Sequence, residues 1–173
     1  GNPSLAKEKA LQLLERKMSS YEKFTKEYPG FGGFLPWFQV SNAGLRPTSD
    51  WQDRVPSLDN GQFAWSLFLS ADILDKMGYP VLAKRYAEYW QMLAKNSVPM
   101  FHDARNGRVR GLAKIIDVHG EVKRKNYTNA PSQYYLTDPY EGELMVVFMS
   151  LFGKWNSPED REWIWKDKKM SKA

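Results

Sequence analysis

The chain has 173 residues, no cysteine, a formal net charge of +5, and a composition that is 42% hydrophobic and 14% aromatic. This length and apolar content fit a single folded domain, and the lack of cysteine excludes disulfides, thiolate metal sites and a cysteine nucleophile. No apolar run approaches the roughly 18 residues that a membrane span needs. The lysines and arginines are scattered rather than gathered in one stripe, which is typical of a solvated surface. We therefore expect neither a membrane nor a nucleic acid as the partner.

Three helices are predicted in the first 95 residues. The first begins at the cap residue Ser4 and runs to about Tyr28, before a Pro-Gly pair. The second opens at residues 58–61 and is apolar on most sides, which predicts an inner helix. The third, over about 81–95, has one charged face and is predicted to be an outer helix. The segment 31–38 is rich in aromatics and glycine, which fits either a ligand wall or a loop packed under the core.

The second half of the chain begins with a change of period. Residues 98–118, around the Asn-Gly pair at 106–107, predict one β-hairpin with a tight turn. A loop leads to a second inner helix over about 140–152, and Ser157 with the following proline starts a last outer helix. Alternating inner and outer helices predict an all-α fold, an α/α toroid with one hairpin insertion. Since a six-pair toroid needs far more residues, we expect 1–173 to be one domain, either a compact helical domain or an incomplete portion of a larger (α/α)6 barrel.

The run at residues 138–143 (Asp-Pro-Tyr-Glu-Gly-Glu) places three carboxylates at the mouth of the second inner helix. Glycoside hydrolysis requires carboxylates of this kind, one kept protonated as an acid and one kept charged as a base. Capping is the alternative, because the positive end of a helix dipole stabilises acids at its N-terminus. Glu141 and Glu143 are two residues apart, so on a helix only one of them need face a pocket.

A second acidic turn, at Asp59, opens the other inner helix. Asp59 is either a helix cap or a substrate-binding residue. Consecutive inner helices of a toroid run parallel, so both acidic turns should open at the same end of the ring. Sugar rings stack on aromatic faces and their hydroxyls need polar partners, so we expect Trp37, Trp51 and Phe34 to line a groove with Asp59.

The remaining candidate sites are weaker. His102 and His119 lack metal-ligand spacing, and we expect them to pack on the surface or in the hairpin. Residues 103–107 resemble a calcium loop only superficially, because the full ligand ladder and the closing glutamate are absent. The pattern at Asn126 would permit glycosylation in a secreted chain. We therefore predict no metal and no cofactor.

Three segments, 32–37, 55–62 and 138–143, together resemble the endo-β-1,2-glucanases and their glucoamylase-like relatives. The similarity runs over roughly residues 29–155, and the 138–143 run resembles the fungal type best. The resemblance implies that the complete enzyme is an (α/α)6 toroid, a glycosidase that cleaves linear β-1,2-glucan with inversion.

The same resemblance implies roles for particular residues. The general acid maps to a glutamate in the 138–143 run, where Glu141 is favoured and Glu143 is the alternate. The general base is expected in a later part of the fold, beyond Ala173. The residues expected to bind substrate are Asp59, Asp138, Tyr140, Trp37, Trp51 and Gln62.

One competing class remains open. The same helices, aromatics and acids would also suit a non-catalytic glucan-binding module, whereas scattered charge argues against a basic module for acidic partners. In either case the expected partner is an oligo- or polysaccharide, and a second chain that completes the barrel stays an alternative. For such a partner we expect a secreted or periplasmic location.

Overall fold

The computed structural model describes residues 3–42, 44–130, 134–137 and 143–165, and it is predominantly helical over them. The helices are α1 (Pro3–Glu27), α2 (Ser57–Lys76), α3 (Pro80–Phe101), α4 (Glu143–Phe152) and α5 (Pro158–Trp163). The strands are β1 (Phe38–Ser41), β2 (Gly44–Pro47), β3 (Arg54–Pro56), β4 (His102–Asp103), β5 (Arg108–Val109), β6 (Leu112–Ile115) and β7 (Tyr127–Asn129). Within the described part of the chain, no helix has both the length and the apolar character that crossing a membrane requires.

The outer helices α1 and α3 lie side by side and run parallel. Near their starts the Lys7 ammonium sits over the Tyr79 ring, 5.2 Å from its centroid. Further along both helices, the hydroxyls of Thr25 and Tyr89 share a hydrogen bond of 2.9 Å. The polar side of α1 faces solvent, while the aromatic side of α3 is buried between the two helix layers.

The inner helices α2 and α4 also run parallel, because their contacts advance together from their first turns. The contacting pairs are Gly61 with Met145, Trp65 with Phe148, and Phe68 with Phe152. A tight turn at Gly78 (φ +84°) reverses the chain between α2 and α3, so the outer helix returns antiparallel to the inner one. Parallel inner helices joined through antiparallel outer helices are the repeating unit of an α/α toroid, and the predicted fold class is confirmed.

The approach of α2 to α4 depends on the missing side chain of Gly61. A Cβ at this position would lie 2.7 Å from the backbone nitrogen of Met145 and 3.1 Å from its Cα. A Cβ atom cannot approach backbone atoms as closely as 2.7 Å, so only a glycine, which has no Cβ, allows this contact. The glycine of the Asp-Asn-Gly turn therefore lets the first turns of the two inner helices touch.

The strands differ from the prediction of a single hairpin over 98–118. Helix α3 continues through Pro99 to Phe101. The prediction missed this because the last turn is buried on most sides, and an apolar run does not by itself distinguish a buried helix end from a strand. The hairpin is reduced to β4 and β5, with Gly107 at φ +64° in its turn. Strand β6 instead joins the sheet β3-β6-β7, and β1 and β2 form a separate hairpin before β3.

The start of α5 agrees with the sequence. The Ser157 hydroxyl oxygen accepts a 3.1 Å hydrogen bond from the backbone N–H of Asp160, and Pro158 holds the first helical position. Both features were predicted from the Ser-Pro-Glu-Asp pattern. The lysine-rich run from residue 166 lies outside the described residues.

Replacing Gly61 by alanine should destabilise the protein by about 1 to 3 kcal/mol, since the added methyl group meets backbone that cannot move aside as a side chain would. The midpoint of urea unfolding would measure the loss. Gln62→Ala, one residue further on the exposed side of α2, serves as the control and should change stability by less than about 0.5 kcal/mol. A Gly61→Ala protein as stable as the wild type would contradict the close helix contact.

Candidate active site

An aromatic cleft of about 400 Å³ opens in front of the first turn of α2. Trp37 is its most exposed aromatic wall, with 57% of its surface accessible. The Trp37 ring stacks on Trp51 at a centroid distance of 4.6 Å, and its indole N–H donates to Asp59 Oδ2 at 3.2 Å. The lining residues are Leu35, Pro36, Trp37, Phe38, Pro56, Asp59, Asn60 and Phe63.

A buried amide fixes the loop that carries Trp37. The Asn60 side chain accepts from the backbone N–H of Leu35 at 2.8 Å, and it donates to the carbonyl oxygens of Leu35 (2.8 Å) and Pro56 (2.7 Å). Asn60 is 2% exposed, so its two donors and its acceptor are all used by backbone. Asp59 could be singled out from the sequence for its charge, but the role of Asn60 depends on Leu35, which is remote from it in the chain.

Of the acidic run, the structure describes only the last residue, at the start of α4. Asp138, Tyr140 and Glu141 lie outside the described residues, whereas Glu143 is the first residue of α4 and is half-buried. Because Gly61 packs on Met145, the first turns of α2 and α4 lie side by side. The carboxylates of Asp59 and Glu143 are thus carried at the same end of two adjacent parallel helices, as the toroid arrangement predicts.

The other candidates for the groove differ in position. Gln62 is exposed on the next turn of α2 and is not among the residues that line the cleft. Trp51 supports the ring of Trp37 from behind. The prediction for Phe34 is wrong: this residue is fully buried and packs edge-on against Phe101 at 5.0 Å. Gly32 and Gly33, both with positive φ, turn the loop. Residues 31–34 lie in the core, and residues 35–37 line the cleft.

Asp103 is the centre of a buried polar network that sequence reasoning missed. Its Oδ2 accepts from the Tyr135 hydroxyl (2.7 Å) and from the side-chain amides of Asn106 (2.8 Å) and Asn129 (3.2 Å). Burial alone would raise the pKa of Asp103, but these hydrogen bonds and the nearby Arg110 guanidinium lower it well below its usual range. The Asp103 carboxylate is therefore charged and accepts hydrogen bonds from protein donors. The residues that superficially resemble a calcium loop thus belong to an internal hydrogen-bond network.

The two histidines have structural contacts. His102 is fully buried, and its ring meets Trp155 edge-on at 5.0 Å. His119 is exposed, and its ring stacks on Tyr28 at 5.7 Å. Among the described residues, no cluster of histidine, cysteine or carboxylate side chains could hold a metal ion. The expectation of surface or hairpin packing is confirmed for both.

The glycosylation pattern at Asn126 is occupied by the fold. Asn126 is 8% exposed; its side-chain oxygen accepts from Asp117 N–H at 2.8 Å, and its amide donates to the Asp117 carbonyl at 2.9 Å. A sugar on the Asn126 nitrogen would have to displace a hydrogen bond that closes this loop. The expectation for a secreted chain stays a prediction, and the buried amide argues against it.

Burial of His102 makes stability depend on pH. Burial and the charge of Arg124 lower the pKa of His102 to about 4, with Arg110 acting in the same direction and Asp160 and Asp103 opposing it. The unfolded chain therefore takes up this proton first. Stability should be highest above pH 6.5 and fall by up to about 3 kcal/mol as the pH drops towards about 4. The stability that Asp103 contributes is lost as the pH falls from the ordinary carboxyl range towards its lowered pKa.

Urea midpoints measured at a series of pH values would test this slope. His102→Gln should flatten the slope between pH 6.5 and 4. His119→Gln, at the exposed histidine, should leave it unchanged. An unaltered slope in His102→Gln would assign the acid sensitivity to other groups.

Comparison with known proteins places the chain in a family. Residues 1–172 match a family model described as endo-beta-1,2-glucanase SGL. No curated protein matches the chain. Two similar solved structures are of the endo-β-1,2-glucanase from Talaromyces funiculosus, one in complex with sophorose and one of a Glu-to-Gln mutant with β-1,2-glucan.

Each of these structures has 34% sequence identity with the chain and superposes with a TM-score of 0.87. Each match covers 97% of this chain and 34% of the fungal chain. This chain thus spans about one third of the length of the solved enzyme that it resembles.

Proposed function

We propose, since the chain belongs to the endo-β-1,2-glucanase family, that it supplies the general acid and part of the substrate groove for inverting cleavage of β-1,2-glucan. One observation carries the proposal. The first turns of α2 and α4 carry Asp59 and Glu143 and are in contact with each other. The exposed Trp37 donates a hydrogen bond to Asp59. A charged wall next to an aromatic face suits a sugar, whose ring stacks while its hydroxyls bond.

The substrate class rests on the fungal relative, for which complexes with sophorose and with β-1,2-glucan are known. A Glu-to-Gln mutant of that enzyme was solved with the glucan bound, so loss of one glutamate carboxyl there is compatible with binding. In this chain we assign the corresponding acid to Glu141, with Glu143 as the alternate. A secreted or periplasmic location, where a polysaccharide is accessible, is part of the same proposal.

Inversion needs two carboxyl groups roughly 6.5 to 9.5 Å apart, so that the base can activate a water on the far side of the sugar. The solved relative extends over about three times the length of this chain. We propose that the general base comes from that remaining part of the toroid. Asp59, already bonded to Trp37, is assigned to substrate binding rather than to proton transfer.

The surface of the inner helices agrees with a larger ring. Leu69 and Ile73 on α2 are 53% and 54% exposed, and Leu151 on α4 is 63% exposed. On α2 these leucine and isoleucine positions follow Asp59 along the face opposite the core. An apolar stripe of this kind requires a cover. We propose that further inner helices cover it, equivalent to the part of the fungal enzyme that this chain does not match.

Self-association of the isolated chain should reveal this stripe. With Leu69 and Ile73 both replaced by glutamine, the chain should become monomeric at concentrations where the wild type associates, because the contact area loses its apolar character. Sedimentation velocity would measure the change. Val81→Gln, on the exposed side of α3, is the matched control and should leave association unaltered. A wild-type chain that is monomeric at millimolar concentration would contradict an uncovered packing face.

The catalytic assignment is tested in the protein that carries this chain together with the rest of the ring. Glu141→Gln should lower turnover of β-1,2-glucan by about 10²- to 10⁴-fold, since the amide keeps the shape but has no proton to donate. Affinity for the glucan should stay within about threefold. Measurement of reducing ends and of binding by calorimetry would separate the two effects.

Trp37→Ala is the matched control with the opposite expectation. It should weaken glucan binding about tenfold, as expected when a stacking contact of roughly 1 to 1.5 kcal/mol is lost. If Glu143→Gln abolishes turnover while Glu141→Gln does not, the acid is the alternate residue. If neither change affects turnover, the acidic run is a helix cap and the assignment of the general acid to it is wrong.

A further inference from the structure

The backbone of Gly111 makes hydrogen bonds to two separate segments of the chain. Its carbonyl oxygen accepts from both the backbone N–H (3.0 Å) and the hydroxyl (3.1 Å) of Ser57, the first residue of α2. Its N–H donates to the carbonyl of Tyr134 at 2.8 Å. A Cβ at Gly111 would overlap the Tyr134 ring, so the absence of a side chain permits this approach. One residue thus ties the start of α2 to the segment 134–136.

Segment 134–136 is held along its length. Leu136 N–H donates to the Val109 carbonyl at 2.8 Å, and residue 135 bridges antiparallel to Arg110. The Tyr135 hydroxyl then fixes the segment sideways. It donates to Asp103 at 2.7 Å and accepts from the Asn129 amide at 2.7 Å.

Asp103 itself is held in place by further hydrogen bonds. Asp103 is 7% exposed, and its other oxygen accepts from the backbone N–H of Arg105 at 3.1 Å. The guanidinium of Arg110 donates to the carbonyl oxygens of Met100 (3.0 Å) and His102 (3.1 Å), which fixes the network to the end of α3. A buried network with its hydrogen bonds made has one low-energy arrangement.

The position of this network along the chain gives it a further role. Tyr135 precedes Asp138 by three residues and Glu141 by six. Beyond the acidic run the chain is fixed again, because the Trp65 indole donates to the Leu144 carbonyl at 2.9 Å and Met145 packs on Gly61. Both flanks of the run are therefore tied to α2, the helix that carries Asp59.

We propose that Asp103 and Tyr135 are positioning residues that fix segment 134–137, the stretch of chain that leads into the acidic run of residues 138–143. This inference rests on the proposed function, in which that run supplies the general acid. The Tyr135 hydroxyl acts through the chain that follows it, and neither side chain contacts the substrate. Their loss should change the placement of the acid more than the stability of the fold.

The test compares Tyr135→Phe with Tyr134→Phe, its neighbour with a half-exposed ring. The Tyr135→Phe protein should fold, since Asp103 keeps hydrogen bonds from Asn106 and Asn129. Hydrogen exchange of peptides covering residues 134–143 should rise about tenfold, with no change in α1 and α3. On β-1,2-glucan, kcat should fall about tenfold or more while KM stays within about twofold, as expected for a misplaced catalytic group. The control should match the wild type in both measurements.

Asp103→Asn adds a second measurement. Its kcat loss should not add to that of Tyr135→Phe in the double variant, because the two side chains act through one contact. A Tyr135→Phe protein with wild-type exchange over 134–143, or one that exchanges faster throughout, would overturn the positioning role. If the wild-type protein that carries the rest of the ring does not hydrolyse the glucan, the proposed function fails, and the exchange measurement still decides whether this contact holds segment 134–137.

Discussion

The close approach of two helix backbones at Gly61 and Met145 is the contact on which the arrangement of this protein depends. Packed helices are usually held apart by the side chains between them, so their backbones do not touch. Here the bare Cα of Gly61 brings the first turn of α2 directly against that of α4. The N-termini of both inner helices then meet at one end of the molecule, where their dipoles favour carboxylates. The fold and the candidate site share this one constraint.

Buried polar side chains complete the site by fixing irregular chain to regular helices. Asn60 holds the Trp37 loop, Ser57 holds Gly111, and the Asp103–Tyr135 pair holds the segment before the acidic run. Each of these groups has its hydrogen bonds satisfied by protein, so leaving any one unpaired would cost about 1 to 3 kcal/mol. Loops placed in this way can carry functional groups with the precision of secondary structure. The hydrophobic core supplies most of the stability, and the polar contacts define where the loops lie.

The outer and inner helices of the chain differ in the character of their surfaces. The outer face, on α1 and α3, is charged and typical of solvent contact. The inner face of α2 is polar at Asp59 and becomes apolar towards Leu69 and Ile73. Such a gradient is compatible with the larger ring proposed above. It also agrees with a fungal relative that matches over only 34% of its own length.

The sequence by itself determined the helices, their order and their two burial classes, because periodicity and capping are local properties. It also indicated the family, since the run at 138–143 is the more specific element and the widely shared turn at 58–61 supports it. Only the tertiary structure decided that Phe34 is core, that Asn60 and Asp103 are organising groups, and that residues 98–101 continue a helix. Those outcomes depend on partners that are remote in the chain, such as Leu35 for Asn60 and Phe101 for Phe34. A contact of that kind leaves no periodic trace, because it is made by the folded arrangement and not by neighbouring residues.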